Sequence, residues 1–308
     1  MNTIQQQIRE LARQKNAVIM AHYYVPADVQ EVADIVGDSL ALAQQAAHSN
    51  ADIIVLCGTD FMAETAAILC PDKKILIPAP EATCSLAQSM DAQALAHLKA
   101  QHPHHTVVSY VNTTAAVKAL TDIVVTSSNA LHIVQSLPPQ TPIIFGPDRH
   151  LGRYIQEATH REMLIWDGCC HVHSRFCAPY IRTLMQRYPQ ARLLAHPECP
   201  DEVVAMAHCV GSTAALLHYV EGKVDKWTSG QTYIVATESG VIHQMQRAAP
   251  HSTFIPAAQG QDHVCEYMKM ITLQRICDCL HSETQVVSLP AHIAQRALIP
   301  IQRMLQLS

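Results

Sequence analysis

The chain has 308 residues, of which 49% are hydrophobic and 15% charged, and its formal net charge is −5 at pH 7. No apolar run approaches the ~18 residues that a membrane-spanning helix needs, and no basic stripe of the kind that binds nucleic acid is present. We therefore expect a globular protein that binds neither membranes nor nucleic acid. Eleven cysteines without a visible export signal indicate reduced thiols, metal binding or catalysis, and hence a cytoplasmic location.

The first third of the chain alternates helical and strand-like stretches. The predicted elements are, in chain order, a helix over 2–15, a strand over 17–21, a helical pattern over 29–47 with a break at Gly37-Asp38-Ser39, a strand over 53–57, a helix over 61–69 and a strand over 75–77. Strands that alternate with helices predict a parallel sheet covered by helices on both faces.

The same theme recurs twice more. The second round has a helix over 92–100 and strands over 106–111, 123–125 and 143–145; the third has strands over 192–195, 233–236 and 253–255, a turn at 210–213 before a helix, and closing helices over 273–308. A repeat of about 90 residues predicts an α/β fold of three similar Rossmann-like, three-layer α/β/α domains around a pseudo-threefold axis. We expect these domains to cover 1–90, 91–180 and 181–308, the last including the C-terminal helices.

One cysteine closes each round after its third predicted strand, at Cys84, Cys170 and Cys265. If the three units share an axis, these loops converge and bring the thiols together. Buried packing is the alternative for any single cysteine. Three thiolates leave an open position on a zinc ion, or on one iron of an iron–sulfur cubane. Their long spacing matches no short zinc motif and therefore favours the cluster.

Polar and reactive side chains follow the predicted strands, at the edge where open α/β sheets bind ligands. They are His22, Tyr24, Ser39, Tyr110, Asn112, Ser127, Ser128, His196, Glu198, Ser212 and Thr213. The hydroxyl groups are also preferred helix caps, but a capped helix N-terminus binds carboxylate or phosphate well. The pattern predicts a cleft for a small substrate with several negative charges.

Short motifs are spread over all three rounds. They are A-H-Y-Y-x4-V-Q at 21–30, G-D-S-L at 37–40, C-G-x-x-F-M-A-E-T-A at 57–66, C-S-L-A at 84–87, Y-V-N-T-T-A-A-V-K at 110–118, T-S-S-N-A at 126–130, W-x-G-x-C-x-V-H at 166–173, H-P-E-C at 196–199, G-S-T at 211–213, T-E-x-G at 237–240 and C-x-x-M-K-x-x-T-L at 265–273. Together they resemble the iron–sulfur-dependent quinolinate synthetase A family over nearly the whole chain.

The resemblance implies a [4Fe-4S] cluster held by Cys84, Cys170 and Cys265, with one iron open to substrate. It also implies the reaction, in which iminoaspartate and dihydroxyacetone phosphate condense to quinolinate, with loss of phosphate and two waters, in de novo NAD biosynthesis. A functional link to L-aspartate oxidase or aspartate dehydrogenase, which would supply iminoaspartate, is part of the same expectation.

The resemblance also directs the assignment of roles within the cleft. The predicted substrate-binding residues are His22, Ser39, Tyr110, Asn112, Ser127, His173, His196, Glu198 and Thr213. Glu198, beside His196, is the best candidate for the general base, and Tyr24 with His22 is expected to relay protons. These four residues form the predicted catalytic set.

Two other functions fit the same residues, because the cleft alone does not identify its substrate. One is a cluster- or zinc-dependent lyase that acts on another small dicarboxylate. The other is a redox-sensing protein that binds a metabolite. A sensor commonly carries an output module or a basic nucleic-acid-binding surface, and the sequence shows neither.

Overall fold

The computed structural model describes residues 3–222 and 230–308, and these residues contain three parallel four-stranded sheets. Within each sheet the strands follow the order 2-1-3-4, counted along the chain. The strands are β1 (Ala17–His22), β2 (Ile35–Gly37), β3 (Ile53–Cys57), β4 (Lys74–Leu76), β5 (Thr106–Tyr110), β6 (Ile123–Val125), β7 (Ile143–Gly146), β8 (Met163–Ile165), β9 (Arg192–Ala195), β10 (Cys209–Val210), β11 (Thr232–Ala236) and β12 (Thr253–Pro256). The threefold recurrence of this order confirms the predicted α/β class with three Rossmann-like units.

Helices connect and cover the strands. They are α1 (Thr3–Gln14), α2 (Ala27–Val32), α3 (Ser39–His48), α4 (Asp60–Leu69), α5 (Ser85–Ser89), α6 (Ala92–Gln101), α7 (Ala115–Lys118), α8 (Ala130–Ser136), α9 (Arg149–Thr159), α10 (Ala178–Arg187), α11 (Asp201–Val204), α12 (Thr213–Val220), α13 (Val241–Ala248), α14 (Glu266–Lys269), α15 (Leu273–Ser282) and α16 (Ala291–Gln306), with a 3-10 turn over His173–Arg175. Strands covered on both faces are buried throughout, as β3 shows at every position. Among the described helices, none is long and apolar enough to cross a membrane.

Three short strands were not predicted from the sequence. The interrupted helix expected over 29–47 is wrong, because β2 separates α2 from α3. The strand β8 was missed, and β10 was taken for a turn. Each has only two or three residues, too few to show a period-2 pattern, although the apolar run of β8 was a signal that could have revealed it.

These extra strands change where the three predicted ligands stand. Each sheet contains four strands, so Cys84, Cys170 and Cys265 follow the fourth strand of their units and not the third. The equivalence of the three positions is unaffected. The sheets fall within 1–90, 91–180 and 181–308, although residues 223–229 of the last range lie outside the described residues, and the domain limits stay a prediction.

The C-terminal helices return to the first two units. Helix α15 packs against α1, while α16 packs against α4, α7 and β6. Apolar side chains of both helices, including Ile276 and Ile301, are fully buried in the core that these units share. The end of the chain therefore fastens the first unit to the second.

Candidate active site

One pocket is lined by loops that follow strands of all three sheets, and it encloses an empty volume of about 710 Å³. Its lining includes every residue that the sequence suggested as a ligand, catalytic group or substrate contact: His22, Tyr24, Ser39, Cys84, Tyr110, Asn112, Ser127, Cys170, His173, His196, Glu198, Thr213 and Cys265. The fold thus brings these thirteen residues together, whereas Ser128 and Ser212, which the sequence also placed at this edge, are not in the lining; the role of each residue stays a prediction.

Two histidines end the first strands of their sheets in the same local turn. Nδ1 of His22 accepts a hydrogen bond from the N–H of Tyr24 at 3.2 Å, and Nδ1 of His196 accepts one from the N–H of Glu198 at 3.3 Å. Burial lowers the pKa of His22 to about 4 and that of His196 to about 3. Each neutral ring therefore carries its proton on Nε2, and His196 donates it to Ser127 Oγ at 3.2 Å.

Glu198 is buried between two partners that favour its ionised form. The hydroxyl of Tyr110 donates to Oε1 at 2.6 Å, and Nδ1 of His173 lies 2.8 Å from Oε2. Burial would raise the pKa of Glu198, but its electrostatic interactions with the neighbouring His173 and His196 and these hydrogen bonds lower it to about 2. Glu198 is therefore a carboxylate, ready to accept a proton, in the range where enzymes operate.

A chain of hydrogen bonds runs from Glu198 to the far side of the pocket. Nε2 of His173 lies 3.0 Å from Thr237 Oγ1, the Tyr24 hydroxyl lies 2.9 Å from the same Oγ1, and Thr213 Oγ1 lies 2.7 Å from Tyr24. A carboxylate only accepts, so His173 carries its proton on Nδ1 and its Nε2 accepts from Thr237. Tyr24 then donates to Thr237, and Thr213 donates to Tyr24. All donors point toward Glu198.

Two helix starts face the pocket with the same construction. Asp38 caps α3 and Ser212 caps α12, each accepting from the N–H three residues later, at 2.9 and 3.2 Å. The cap is therefore supplied by Asp38 and Ser212, which leaves the following hydroxyls, Ser39 and Thr213, in the pocket lining. Helix N-termini with hydroxyls beside them suit an anionic ligand.

The three cysteines are thiols in a protein without a bound cation. Burial raises the pKa of Cys84 to about 12 and that of Cys265 to about 11, and raises the pKa of Cys170 well above its usual value. Thiolates are costly here unless a positive centre compensates them, and metal binding does so. Asn112 Nδ2 lies 3.8 Å from the Cys84 sulfur, while its Oδ1 has no partner among the described residues.

Cys170, His173 and Glu198 each place one donor atom within 4.8 Å of the others, and this group could hold a metal ion. Both ring nitrogens of His173 are already hydrogen-bonded, to Glu198 and to Thr237. Binding an ion through His173 would break one of these bonds. The thiol of Cys170 carries no such restriction.

Several residues of the site were missed from the sequence. Thr237 joins His173 to Tyr24, and Glu238, which lines the pocket, pairs with Lys269 Nζ at 2.7 Å while fully buried. Asp148 is also fully buried and contacts the Cys170 loop. All three acceptor residues follow the third strand of their sheets. Aligning the three repeats at that strand was the signal that could have revealed them.

Comparison with known proteins identifies the family of the chain. The family model NadA, "Quinolinate synthetase A protein", matches residues 6–306. The chain is 49% identical to the quinolinate synthase of Thermosynechococcus vestitus over 98% of this chain and 94% of that protein. It is 47% identical to that of Microcystis aeruginosa and 48% identical to that of a Synechocystis species, with the same coverage of both chains. The chain therefore belongs to the quinolinate synthetase A family of NAD-biosynthetic enzymes.

Proposed function

We propose that this pocket condenses iminoaspartate with dihydroxyacetone phosphate to form quinolinate, with loss of phosphate and two waters. The observation that carries the proposal is the convergence, in one pocket, of Cys84, Cys170 and Cys265 with the hydrogen-bonded Glu198. These groups come from all three repeats. None of the repeats could assemble the site alone.

The thiols suit a [4Fe-4S] cluster with three protein ligands. A single metal ion needs its donor atoms packed around one point. A cubane can take each of its ligands on a different iron, which suits three thiols that come from three different loops. When bound, such a cluster supplies an open iron that polarises a substrate oxygen as a Lewis acid. A zinc ion on Cys170, His173 and Glu198 is the weaker alternative, because it disrupts the bonds that His173 makes.

The remaining lining supplies donors for two anionic substrates. The neutral ring of His22 presents an Nε2–H group, and Ser39 presents a hydroxyl at a helix start, while the Nε2–H of His196 and the hydroxyl of Thr213 already donate to Ser127 and Tyr24. Asn112 adds an acceptor, because its Oδ1 has no partner among the described residues and can receive an N–H or O–H of a substrate. Carboxylate and phosphate oxygens are the acceptors that such a set of donors recognises.

Ring formation requires repeated proton transfer, and the hydrogen-bonded chain provides for it. Glu198 is the base that takes a proton. The proton on His173 Nδ1 can shift to Glu198 while Thr237, Tyr24 and Thr213 each pass one proton along, with no movement of heavy atoms. A proton released near Thr213 thus reaches Glu198, and each group of the chain is neutral again, with the His173 proton now on Nε2 and the hydrogen bonds reversed.

Iminoaspartate hydrolyses in water, so an enzyme that produces it near this pocket would limit its loss. A functional link to L-aspartate oxidase or aspartate dehydrogenase is therefore part of the proposal. The cytoplasmic location expected from the cysteine usage stays a prediction.

The metal centre can be tested before the activity. Anaerobic reconstitution of the wild type should give about four iron and four sulfide per chain, with absorbance and EPR signals of a cubane. Cys170→Ser should lose most of both. Cys169→Ser is the matched control, because the neighbouring thiol lies outside the pocket lining and this variant should retain the cluster. One zinc without sulfide in the wild type would contradict the proposal.

An activity assay then separates the three functions. Anaerobic incubation with freshly generated iminoaspartate and dihydroxyacetone phosphate should yield quinolinate and phosphate. Consumption of a different dicarboxylate without quinolinate would favour the lyase. An intact cluster with ligand binding but no turnover of any substrate would favour the sensor.

A further inference from the structure

Each cysteine loop is fastened to its own sheet by the same backbone hydrogen bond. The donor is the third residue beyond the third strand of the sheet, and the acceptor is the carbonyl two residues before the cysteine. The bonds run from Asp60 N–H to Ala82 O at 2.8 Å, from Arg149 N–H to Gly168 O at 2.8 Å, and from Ser239 N–H to His263 O at 3.0 Å. The residue just before each donor, at Thr59, Asp148 and Glu238, is therefore equivalent in the three repeats.

In two repeats this equivalent residue is a carboxylate that holds the cysteine itself. Asp148 Oδ2 accepts the N–H of Cys170 at 3.1 Å, and Glu238 Oε1 accepts the N–H of Cys265 at 3.2 Å. Both carboxylates have no solvent-exposed surface. Two different acids thus make the same contact from the same place in the fold.

The other oxygen of each carboxylate is also occupied. Asp148 Oδ1 accepts from Leu151 N–H at 2.7 Å, and Glu238 Oε2 accepts from Gly240 N–H at 2.6 Å. Burial raises the pKa of both carboxyl groups; the Lys269 ammonium, 2.7 Å from Glu238 Oε1, opposes that shift at Glu238, and the amide donors oppose it at both residues. An amide side chain has one acceptor oxygen, so Asn or Gln would turn an NH₂ group toward one N–H donor. The pattern of bonds therefore requires a carboxylate.

The first repeat lacks this contact. Thr59 occupies the equivalent position, is 1% exposed, and its Oγ1 has no hydrogen-bond partner among the described residues. A threonine side chain has a single hydroxyl oxygen and therefore cannot provide two acceptor oxygens. Cys84 is therefore fastened by the backbone bond of its loop without a carboxylate.

We infer that Asp148 and Glu238 are positioning residues that hold the Cys170 and Cys265 loops ready for the cluster, and that Cys84 is not held in this way. Each acid fixes the main chain of a ligand, so the cysteine is placed before any metal arrives. The link to the cluster rests on the proposed function. The fastening of the two loops is a property of the protein without metal.

The first test uses metal-free protein and labels each cysteine with a maleimide, quantified by mass spectrometry. Asp148→Asn should accelerate labelling at Cys170 alone, and Glu238→Gln at Cys265 alone. Thr59→Val is the matched control from the first repeat and should leave Cys84 labelling unchanged. Equal acceleration at all three cysteines would reveal general loosening and overturn the inference, as would no acceleration at all.

A second measurement needs no variant that could fail to fold. In the wild-type metal-free protein, amide hydrogen exchange should be slower at Cys170 and Cys265 than at Cys84, because only the first two N–H groups are bonded to carboxylates. Equal exchange at all three would contradict the inference.

The third test addresses the cluster. After anaerobic reconstitution, iron release to a chelator should be about 10 to 100 times faster in Asp148→Asn and Glu238→Gln than in the wild type, and unchanged in Thr59→Val. If iron release is unchanged in both acid variants, the hydrogen bonds of Asp148 and Glu238 do not help to retain the cluster, and the link between these residues and the cluster is overturned. If the wild type binds no cluster, the proposed function fails, whereas the labelling and exchange results still decide whether the loops are fastened.

Discussion

The turns after β1 and β9 have nearly the same backbone and different chemistry. In both, a histidine Nδ1 accepts the N–H of the second residue after it, at 3.2 and 3.3 Å. That second residue is Tyr24 in the first unit and Glu198 in the third. The shared turn places both side chains in one pocket.

The difference between the two turns separates the proposed acid from the proposed base. Burial and the charge of Glu198 raise the pKa of Tyr24 well above its usual value, so Tyr24 keeps its proton. Hydrogen bonds from His173 and Tyr110 help to lower the pKa of Glu198 and keep it ionised, although burial acts in the opposite direction. Repetition of the fold supplied two equivalent positions, and a single residue at each determined which one donates and which one accepts.

The second unit shows that the turn is not required everywhere. Its first strand, β5, ends at Tyr110, which replaces the histidine and donates its hydroxyl proton to Glu198 at 2.6 Å. Asn112 occupies the position equivalent to Tyr24 and Glu198, and its side-chain amide contacts the Cys84 sulfur. The second unit therefore supports the Glu198 carboxylate and does not add another acid–base group.

Among the substitutions that test this comparison, replacing the proposed base should have the largest effect on activity. We expect Glu198→Gln to lower kcat by about 1,000-fold, because the amide cannot take a proton. Quinolinate formation under anaerobic conditions measures this loss. Iron content and absorbance should stay at wild-type levels, which would show that the cluster is retained. Near-normal turnover would remove Glu198 from the role of base.

Replacing the acid should have a smaller effect. Tyr24→Phe keeps the ring beside His22, at 4.5 Å between centroids, but removes the hydroxyl that joins Thr213 to Thr237. We expect kcat to fall by about 10 to 100 times, which lies at the lower end of the range for one proton-transfer group. Steady-state assays against Tyr23→Phe, whose hydroxyl lies outside the pocket lining, provide the matched control.

A variant at Thr237 tests whether the hydrogen-bonded chain acts as a unit. Thr237→Val preserves the shape of the side chain and interrupts the same path between His173 and Tyr24. If the path works as a unit, the double variant with Tyr24→Phe should lose no more activity than the worse single variant. Losses that multiply would show that the two hydroxyls act independently.

Apolar periodicity and the spacing of the cysteines were sufficient to predict much of this architecture. The buried run of β3, Ile53–Cys57, is bounded by a glycine and is easily recognised. The three predicted ligands could be selected because one cysteine recurs in every unit. The role of Thr237 could not be predicted, because it depends on a contact with Tyr24 across 213 positions of the chain. Threonine is common, and only the fold shows which one joins two catalytic groups.

The two histidine turns should also act alike on stability at low pH. The pKa of His22 is lowered from 6.5 to about 4, and that of His196 from 6.5 to about 3. As the pH falls below 6.5 the unfolded chain binds protons that the folded protein does not, so the free energy of unfolding decreases by about 1.4 kcal/mol per pH unit for each histidine. Glu198, whose pKa is lowered from 4.5, loses its contribution only at lower pH.

Chemical denaturation of the metal-free protein between pH 6 and 4 measures this dependence. His22→Gln and His196→Gln should each reduce the slope by about the amount assigned to one histidine. A slope that neither substitution changes would show that other groups account for the acid sensitivity.

The smallest effect concerns the glycines that precede the two capped helices. A Cβ added at Gly37 would stand 2.9 Å from the Cβ of Ala41, and one added at Gly211 would stand 2.8 Å from the Cβ of Ala215. Both helices must move to make room, so Gly37→Ala and Gly211→Ala should each lower the free energy of unfolding by about 1–3 kcal/mol.

Denaturation of the two glycine variants would show how far the first and third units are built alike. Adding Ala41→Gly to Gly37→Ala removes the opposing methyl and should recover part of the loss, after allowance for about 1 kcal/mol of helix propensity. The corresponding pair at Gly211 and Ala215 should behave in the same way. A marked loss in one unit and none in the other would mean that the matching turns tolerate close approach differently, and the structural equivalence would then not extend to their energetics.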